Sequence, residues 1–552
     1  MLQPQTKYCV PAETARVAKA IFSGGNIYLT LADVLGTFPA EWDFANLFPA
    51  KGQPAVSPFR LALATILQYI EGLTDRQTAD AVRSRIDWKY LLCLELTDSG
   101  FDHTVLSEFR TRLITGQAES LIFEKLLGLC RDKGWLRART RQRSDSTHVL
   151  AAIRGITRVE CVGETLRAAL NVLAVVAPEW LRSNSQTEWL KRYSTRIEEH
   201  RQPKTESQQL QLAQTYGSDG MRLLSCVFDT TSPTWLRAVP AVETLRRVWV
   251  QQYYLCENIL RWRTAEEIPP ASVMISSPYE PDAHYAKKYT TSWIGYKVHL
   301  TETCEPDSPH LITHVETTAA PMADGDVTER IHAALQAKDL LPNKHIVDTG
   351  YLDAELLVTS QQQYGIDLVG PTRPDYRWQS KDGRGFAAAN FMVDWENKSV
   401  TCPEGKNNSS WTPAKDSRGN AVVKIKFAEK DCTVCPSQPL CTTRSKQTRR
   451  TVTLRPEQQC QALKTARLRE TTAEFKEEYA RRAGIEGTLS EGVRTHHLRR
   501  TRYIGLPKTS LQHLMTATAI NLKRIFYWLV ERPLSATRTS RFVALMTQPA
   551  TG

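Results

Sequence analysis

The order of apolar patterns along this chain predicts a mixed α/β fold: three strands, a helix, a strand, a helix, a strand and a closing helix. Three observations carry that reading. Ile294, Tyr296, Val298 and Leu300 alternate as one face of a strand does. Two short strand-like runs, RSDSTHV and HIVDTGY, each hold a single aspartate, Asp145 and Asp348. Between them Val327, Ile331, Ala334 and Leu335 recur with the period of a helix.

The elements follow in order. Arg141 to Ile153 is the first strand and carries Asp145. After a long insertion, Trp293 to Thr301 forms the second and Leu311 to Thr317 the third. Asp324 or Asp326 caps a helix that runs to about Leu340, because a side-chain carboxylate satisfies the free N–H groups of a first turn. His345 to Asp348 is a short fourth strand, Tyr351 to Tyr364 a helix, and Ile366 to Val369 a fifth strand closed by Gly370-Pro371. In the last segment Tyr479, Arg482 and Glu486 fall at i, i+3 and i+7, one face of a helix. Gly484 and Gly487 flank Glu486 and weaken an unbroken helix there.

Should the fold gather Asp145, Asp348 and Glu486, the three carboxylates make a hard, anionic oxygen site for divalent metal, the equipment for breaking and joining phosphodiester bonds. The plainer reading makes Glu486 and Arg482 solvated helix charges and Asp348 the cap of the turn at Thr349-Gly350. Asp353, Glu355, Glu478 and Glu491 lie nearby as competing acids.

Composition points to an anionic partner. The 552 residues hold 71 Lys plus Arg against 59 Asp plus Glu, a net charge of +12. Spread over this length the excess is mild, so clustering matters more than the total. Arg139, Arg141 and Arg143 precede Asp145, and Arg499, Arg500 and Arg502, with Lys508 beyond, follow Glu486, where a duplex would have to lie. The N-terminal residues lack a signal pattern, and the longest apolar stretch, Leu166 to Ala177, is interrupted by Arg167 and Asn171, so a cytoplasmic protein without membrane spans is expected.

The 12 cysteines are mostly scattered singly, which suits free thiols. Cys402, Cys432, Cys435 and Cys441 are grouped and offer either a structural zinc site or plain thiols, since only one Cys-x-x-Cys is present. The N-terminal third has helical periodicity with helix-turn-helix character around Gly72 to Val82. Asp102 to Arg112, with Arg110 and Arg112, is its candidate recognition helix, and a packing or dimerising bundle is the alternative. Trp180, Trp189, Trp235 and Trp249 stand among arginines in the insertion and are read mainly as core.

Longer stretches carry a resemblance: QRSDSTHVLAAIR, DAHYAKKYTTSWIGYKVHLTETC, HVETTAAPMADGDVTERIHAAL, VDTGY and GIEGTLSEGVRTHHLRRTRYIGLPKTSLQHLMTATAINLKRI. Over roughly residues 20 to 530 the chain resembles bacterial insertion-sequence DDE transposases with an InsH-type helical N-terminal domain, a ribonuclease H-like catalytic domain and a Cys-containing insertion. The resemblance implies Asp145, Asp348 and Glu486 as ligands of Mg²⁺ or Mn²⁺, with Arg482 and Tyr479 beside them. It implies double-stranded DNA as partner, in the form of element ends and target, and a homodimer on paired ends. The related signature has its basic residue where this chain has Val493, so that role falls to the neighbouring Arg494. The implied domains are a helical DNA-binding or dimerisation domain at 1–135, a catalytic domain at 136–371 and 456–530 with a helical insertion at about 158–265, a Cys-rich insertion at 372–455 and a tail at 531–552. A nuclease of the same fold without strand transfer, and a host-adopted DNA-binding protein, remain as alternatives.

Overall fold

The computed structural model describes residues 1–2, 8–36, 38–199, 205–381, 383, 385–417, 419–443 and 449–532. The chain divides into two compact units, one of Met1–Leu136, Glu305–Ile312 and Glu491–Gly552, the other of Arg137–Cys304 and Thr313–Ser490. From residue 533 on, the expected tail lies outside the described residues.

The first unit is helical. Its centre is α1 (Pro58–Glu71), buried along nearly its whole length, ended by Gly72 in the left-handed conformation (φ 72°). The next helix, α2 (Asp75–Ser84), starts from a capping box between Thr74 and Gln77. Helix α3 (Thr104–Thr115) buries Leu106, Phe109, Arg110 and Leu113. The helix Leu506–Leu529 also belongs here, packed on α1 through an inward set that includes Leu511, Met515, Ile520 and Ile525. Asn521 of that helix bonds both the N–H and the C=O of Ile312, at 2.8 Å each. The stretch from Glu491 therefore groups with the N-terminal helices, whereas the sequence assigned it to the catalytic domain as far as residue 530. Its large apolar face is satisfied by helices, which one-dimensional periodicity does not reveal.

The second unit is built on one mixed sheet of β1 (Arg141–Leu150), β2 (His284–Lys288), β3 (Thr291–Thr303), β4 (Ile312–Ala319), β5 (Lys344–Ile346) and β6 (Asp367–Val369). Their spatial order is β2-β3-β1-β5-β6, and β4 pairs with β3. Strand β1 is antiparallel to β3, with Asp145 opposite Leu300, and parallel to β5, with Arg143 opposite Ile346. Helix α4 (Gly325–Ala337) leads from β4 to β5 and α5 (Ala354–Tyr364) joins the parallel strands β5 and β6, the latter helix capped by Asp353 through the N–H groups of Glu355 and Leu356. This is the mixed α/β sheet that the pattern of strands and helices predicts, in the ribonuclease H-like form that the resemblance implies.

The middle of this sheet is polar. Gln142 and Ser144 are fully buried on the central strand, yet each is satisfied: Gln142 donates to Leu340 O (2.8 Å) and accepts from Thr313 (2.7 Å), while Ser144 bonds Thr301 (2.6 Å) and His345 (2.7 Å). A fully partnered network avoids the desolvation cost of orphaned groups and admits few alternative registers.

Two insertions complete the unit. The helices between Arg158 and Gln252 close their own core around Leu166, Trp189, Tyr216 and Trp249, with Trp180 packed against it, whereas Trp235 is exposed. The Cys-containing segment holds a three-stranded antiparallel sheet of β7 (Asn408–Lys415), β8 (Ala421–Phe427) and β9 (Thr451–Leu454). Its buried apolar core is small: Phe391, Val400, Ile425, Phe427, Val452 and Leu454. No described helix is long and apolar enough to cross a membrane.

Candidate active site

Strand register brings the two aspartates together. The last pair between β1 and β5 is Arg143 with Ile346, and Asp145 and Asp348 each follow two residues later. Equal steps along parallel neighbours about 4.8 Å apart leave the two side chains side by side, Asp145 in the middle of β1 and Asp348 just past the end of β5.

Asp145 is mostly buried, its side chain 15% exposed. One oxygen accepts the Ser146 N–H (2.8 Å) and the other accepts from Arg482 Nη2 (2.7 Å). Burial pushes its carboxyl above the usual range; Arg482 pulls the other way and the charge of Asp348 adds to the rise. Asp348 does cap the turn after β5, accepting the Gly350 N–H at 2.8 Å with Oδ1. That leaves Oδ2 facing Arg482 Nη2 at 4.0 Å. Glu486, which is exposed, pairs with Arg482 Nη1 at 2.9 Å. One guanidinium thus joins three carboxylates from distant segments.

The helix that the i, i+3, i+7 spacing predicts is broken. Tyr479 lies near the end of α6 (Ala473–Ala480) and Glu486 in the first turn of α7 (Ala483–His496), with Arg481 and Arg482 in the turn between. The cause is Arg143, which donates from Nη1 to Arg481 O and fills the space beside Gly484. A Cβ on Gly484 would sit 2.1 Å from that same Nη1. The kink still delivers Arg482 and Glu486 to the aspartates. Tyr479 is half-buried and stacks on Phe475 (centroids 5.6 Å apart, planes at 4°), and burial raises its phenol pKa.

Several predicted DNA contacts have other work. Arg143 is buried and ion-paired with the fully buried Glu302 (2.6 Å), which also accepts from Thr488 (2.6 Å). Arg110 is buried against Asp75 and lies over the Tyr503 ring at 5.1 Å. Both are structural ion pairs, read as surface charge because a run of arginines carries no mark of burial. The exposed residues of α3 are Thr104, Ser107, Glu108, Thr111 and Thr115, and Arg112 is half-buried over Phe48 at 5.0 Å, so this helix presents no basic reading face. Arg141 pairs with Glu478 (3.4 Å), Arg139 donates to Tyr364 O (3.2 Å), and Arg502 donates to Leu73 O (2.9 Å) over the Tyr69 ring. Arg499, Arg500 and Lys508 are exposed, as is Arg494, which lies at the far end of α7 from Glu486.

Cys402, Cys432, Cys435 and Cys441 line one small cavity with Phe386, Phe391, Phe427 and Arg450. Burial pushes the Cys441 thiol up to about 11. Among the described residues no three His, Cys, Asp or Glu side chains are gathered tightly enough to hold an ion; at the three acids, the Arg482 guanidinium bridges the carboxylates. Asp324, which the sequence reading offers only as a helix cap, also lies beside the aspartates, paired with Lys297.

Two family profiles match the chain. The Transposase DDE domain matches residues 401–526, which include the cysteines and Glu486 but neither aspartate. The Transposase domain (DUF772) matches residues 16–112 of the helical unit. No curated protein matches. A helical stretch similar to the one, followed by a ribonuclease H-like sheet and a segment similar to the other, is the arrangement of an insertion-sequence DDE transposase.

Proposed function

We propose that Asp145, Asp348 and Glu486 form the metal centre with which this DNA transposase cuts the ends of its element and joins them to target DNA. The observation that carries the reading is the bridging of all three acids by Arg482. Divalent dependence is what the family implies, and the donor set fits it in kind: hard carboxylate oxygens, with more negative charge than one guanidinium neutralises. Bound Mg²⁺ or Mn²⁺ would activate the attacking oxygen and stabilise the leaving one in an in-line displacement at phosphorus.

The chain's own residues supply the rest. Asp145, in the middle of β1, and Asp348, just past the end of β5, fix the position of the reacting phosphate, while the exposed Glu486 closes the site from a helix. Arg482 holds the acids in register before DNA arrives. Tyr479, stacked on Phe475, offers a ring face beside the site for an unstacked base. Water as attacking group gives a free 3′-hydroxyl at the element end, and that hydroxyl then attacks target DNA in the same site. Exposed Arg499, Arg500 and Lys508 serve duplex phosphates, and two protomers work on paired ends in the bacterial cytoplasm.

Purified protein with labelled element ends, target duplex and Mg²⁺ tests this reading. Strand-transfer products are expected. Cleavage without joining would point to a nuclease, and binding without either to a DNA-binding protein alone.

The cysteine cavity has a separate expectation. A module with so small an apolar core gains stability from a metal staple, and four thiols lining one cavity are suitable donors for zinc. Purified protein should carry about one zinc per chain by elemental analysis, and Cys435→Ser should lose it. Zinc-free wild-type protein with all four thiols open to a thiol reagent would contradict this.

A further inference from the structure

Asp324 occupies the position before α4 where a helix cap belongs, yet its side chain caps nothing. Its Oδ1 instead accepts from Lys297 Nζ (3.1 Å) and from Ser146 Oγ (3.3 Å), and both ends of the ion pair are largely buried. Lys297 is itself anchored, donating to Met322 O at 2.7 Å. Ser146 is the residue whose N–H serves Asp145. On the other side, a Cβ built on Gly350 would lie 3.0 Å from Asp348 Oδ1 and 3.1 Å from Asp324 Oδ2. The two carboxylates therefore press on the same methyl-sized space, and only glycine leaves it open.

We propose that Asp324, fixed by Lys297, is a positioning residue of the metal centre, which sets where Asp145 and Asp348 stand by contact with Ser146 on one side and with the Gly350 turn on the other. The proposal rests on the reading of Asp145, Asp348 and Glu486 as metal ligands. A carboxylate spent on helix capping would bond the α4 N–H groups; this one makes no such bond and instead meets a lysine brought from β3 and a serine on β1. The buried lysine keeps Asp324 from adding another uncompensated negative charge beside Asp348. The pair can therefore shape the site without competing for the metal.

The test is Mn²⁺ binding to the full chain without DNA, read from the free-ion electron paramagnetic resonance signal. Asp324→Asn keeps the shape and removes the charge, and the dissociation constant should rise by about 10- to 100-fold, the usual effect of removing a group that orients metal ligands. Lys297→Met should weaken binding similarly, and Lys297→Arg should restore most of it. Asp326→Asn, an exposed acid two positions on, should bind as wild type, which separates positioning from general loss of charge. A constant within about twofold of wild type for both Asp324→Asn and Lys297→Met, in protein that melts normally, overturns the proposal. If Asp348→Asn abolishes binding in the same series, the three-acid reading stands without it. If wild type binds no Mn²⁺, the three-acid reading falls and takes the proposal with it.

Discussion

Asp145→Asn, Asp348→Asn and Glu486→Gln should each lower DNA strand cleavage by at least about a thousandfold, on the order of 4 kcal/mol in the barrier, while DNA affinity stays close to wild type. Each amide keeps the size and one oxygen of the carboxylate and removes its charge. The losses should be deepest for the aspartates. Asp145 is held within the central strand and Asp348 by the turn that closes β5, so neither can move to compensate, whereas Glu486 is 64% exposed on the first turn of a helix. Retained affinity is expected because exposed basic residues elsewhere, among them Arg499, Arg500 and Lys508, supply phosphate contacts. Gel assays of cleavage and of binding on one labelled duplex read both quantities. A fully active variant would remove its residue from the site.

The largest stability effect should come from Arg143. Truncation to alanine takes the guanidinium away from Glu302, a carboxylate that is 0% exposed and that also accepts from the Thr488 hydroxyl. Breaking a buried ion pair in this way costs about 3–5 kcal/mol, a fall on the order of 10 °C in the melting of that unit. The double variant Arg143→Met with Glu302→Leu removes both charges and should recover most of the stability. It should not recover cleavage, because Arg143 also bonds Arg481 O and thereby shapes the turn that presents Arg482. Calorimetry beside the cleavage assay separates the two effects. Equal recovery of stability and cleavage would show that Arg143 serves folding alone.

These two sets of residues differ in how far the sequence discloses them. Asp145 and Asp348 are legible because each is the single aspartate of a short strand-like run, RSDSTHV and HIVDTGY, within an alternation of strands and helices that lets distant strands lie side by side. The alternation at Ile294 to Leu300 likewise marks β3, and the stripe through Val327 and Leu335 marks α4. Arg143 is opaque for a physical reason. Its neighbours are arginines, so local composition reads as a solvated basic patch, and only the fold supplies Glu302 from another strand. Arg110 is misread in the same way, with Asp75 as its distant partner. The break between Tyr479 and Glu486 is also tertiary in origin: Gly484 weakens the helix locally, but the side chain that exploits the weakness comes from β1. Asp324 shows the converse error. Its position satisfies a capping rule, and the carboxylate nevertheless turns to a lysine that alternation on β3 marks only as a polar residue.

The helix Leu506–Leu529 illustrates a further limit. Its apolar positions are plain in the sequence, but whether they pack on a sheet or on other helices depends on surfaces that periodicity cannot identify. It belongs with the N-terminal helices, so the DNA-facing roles of the two units have to be tested separately.

The account stands on three acids forming one divalent-metal centre. Crystals of the full chain soaked in Mn²⁺ and read by anomalous scattering test that claim most directly. The predicted result is a peak between the Asp145 and Asp348 side chains, with the Arg482 guanidinium moved off Asp145. Saturating Mn²⁺ that leaves the Arg482–Asp145 pair intact and binds elsewhere, or nowhere, would contradict it.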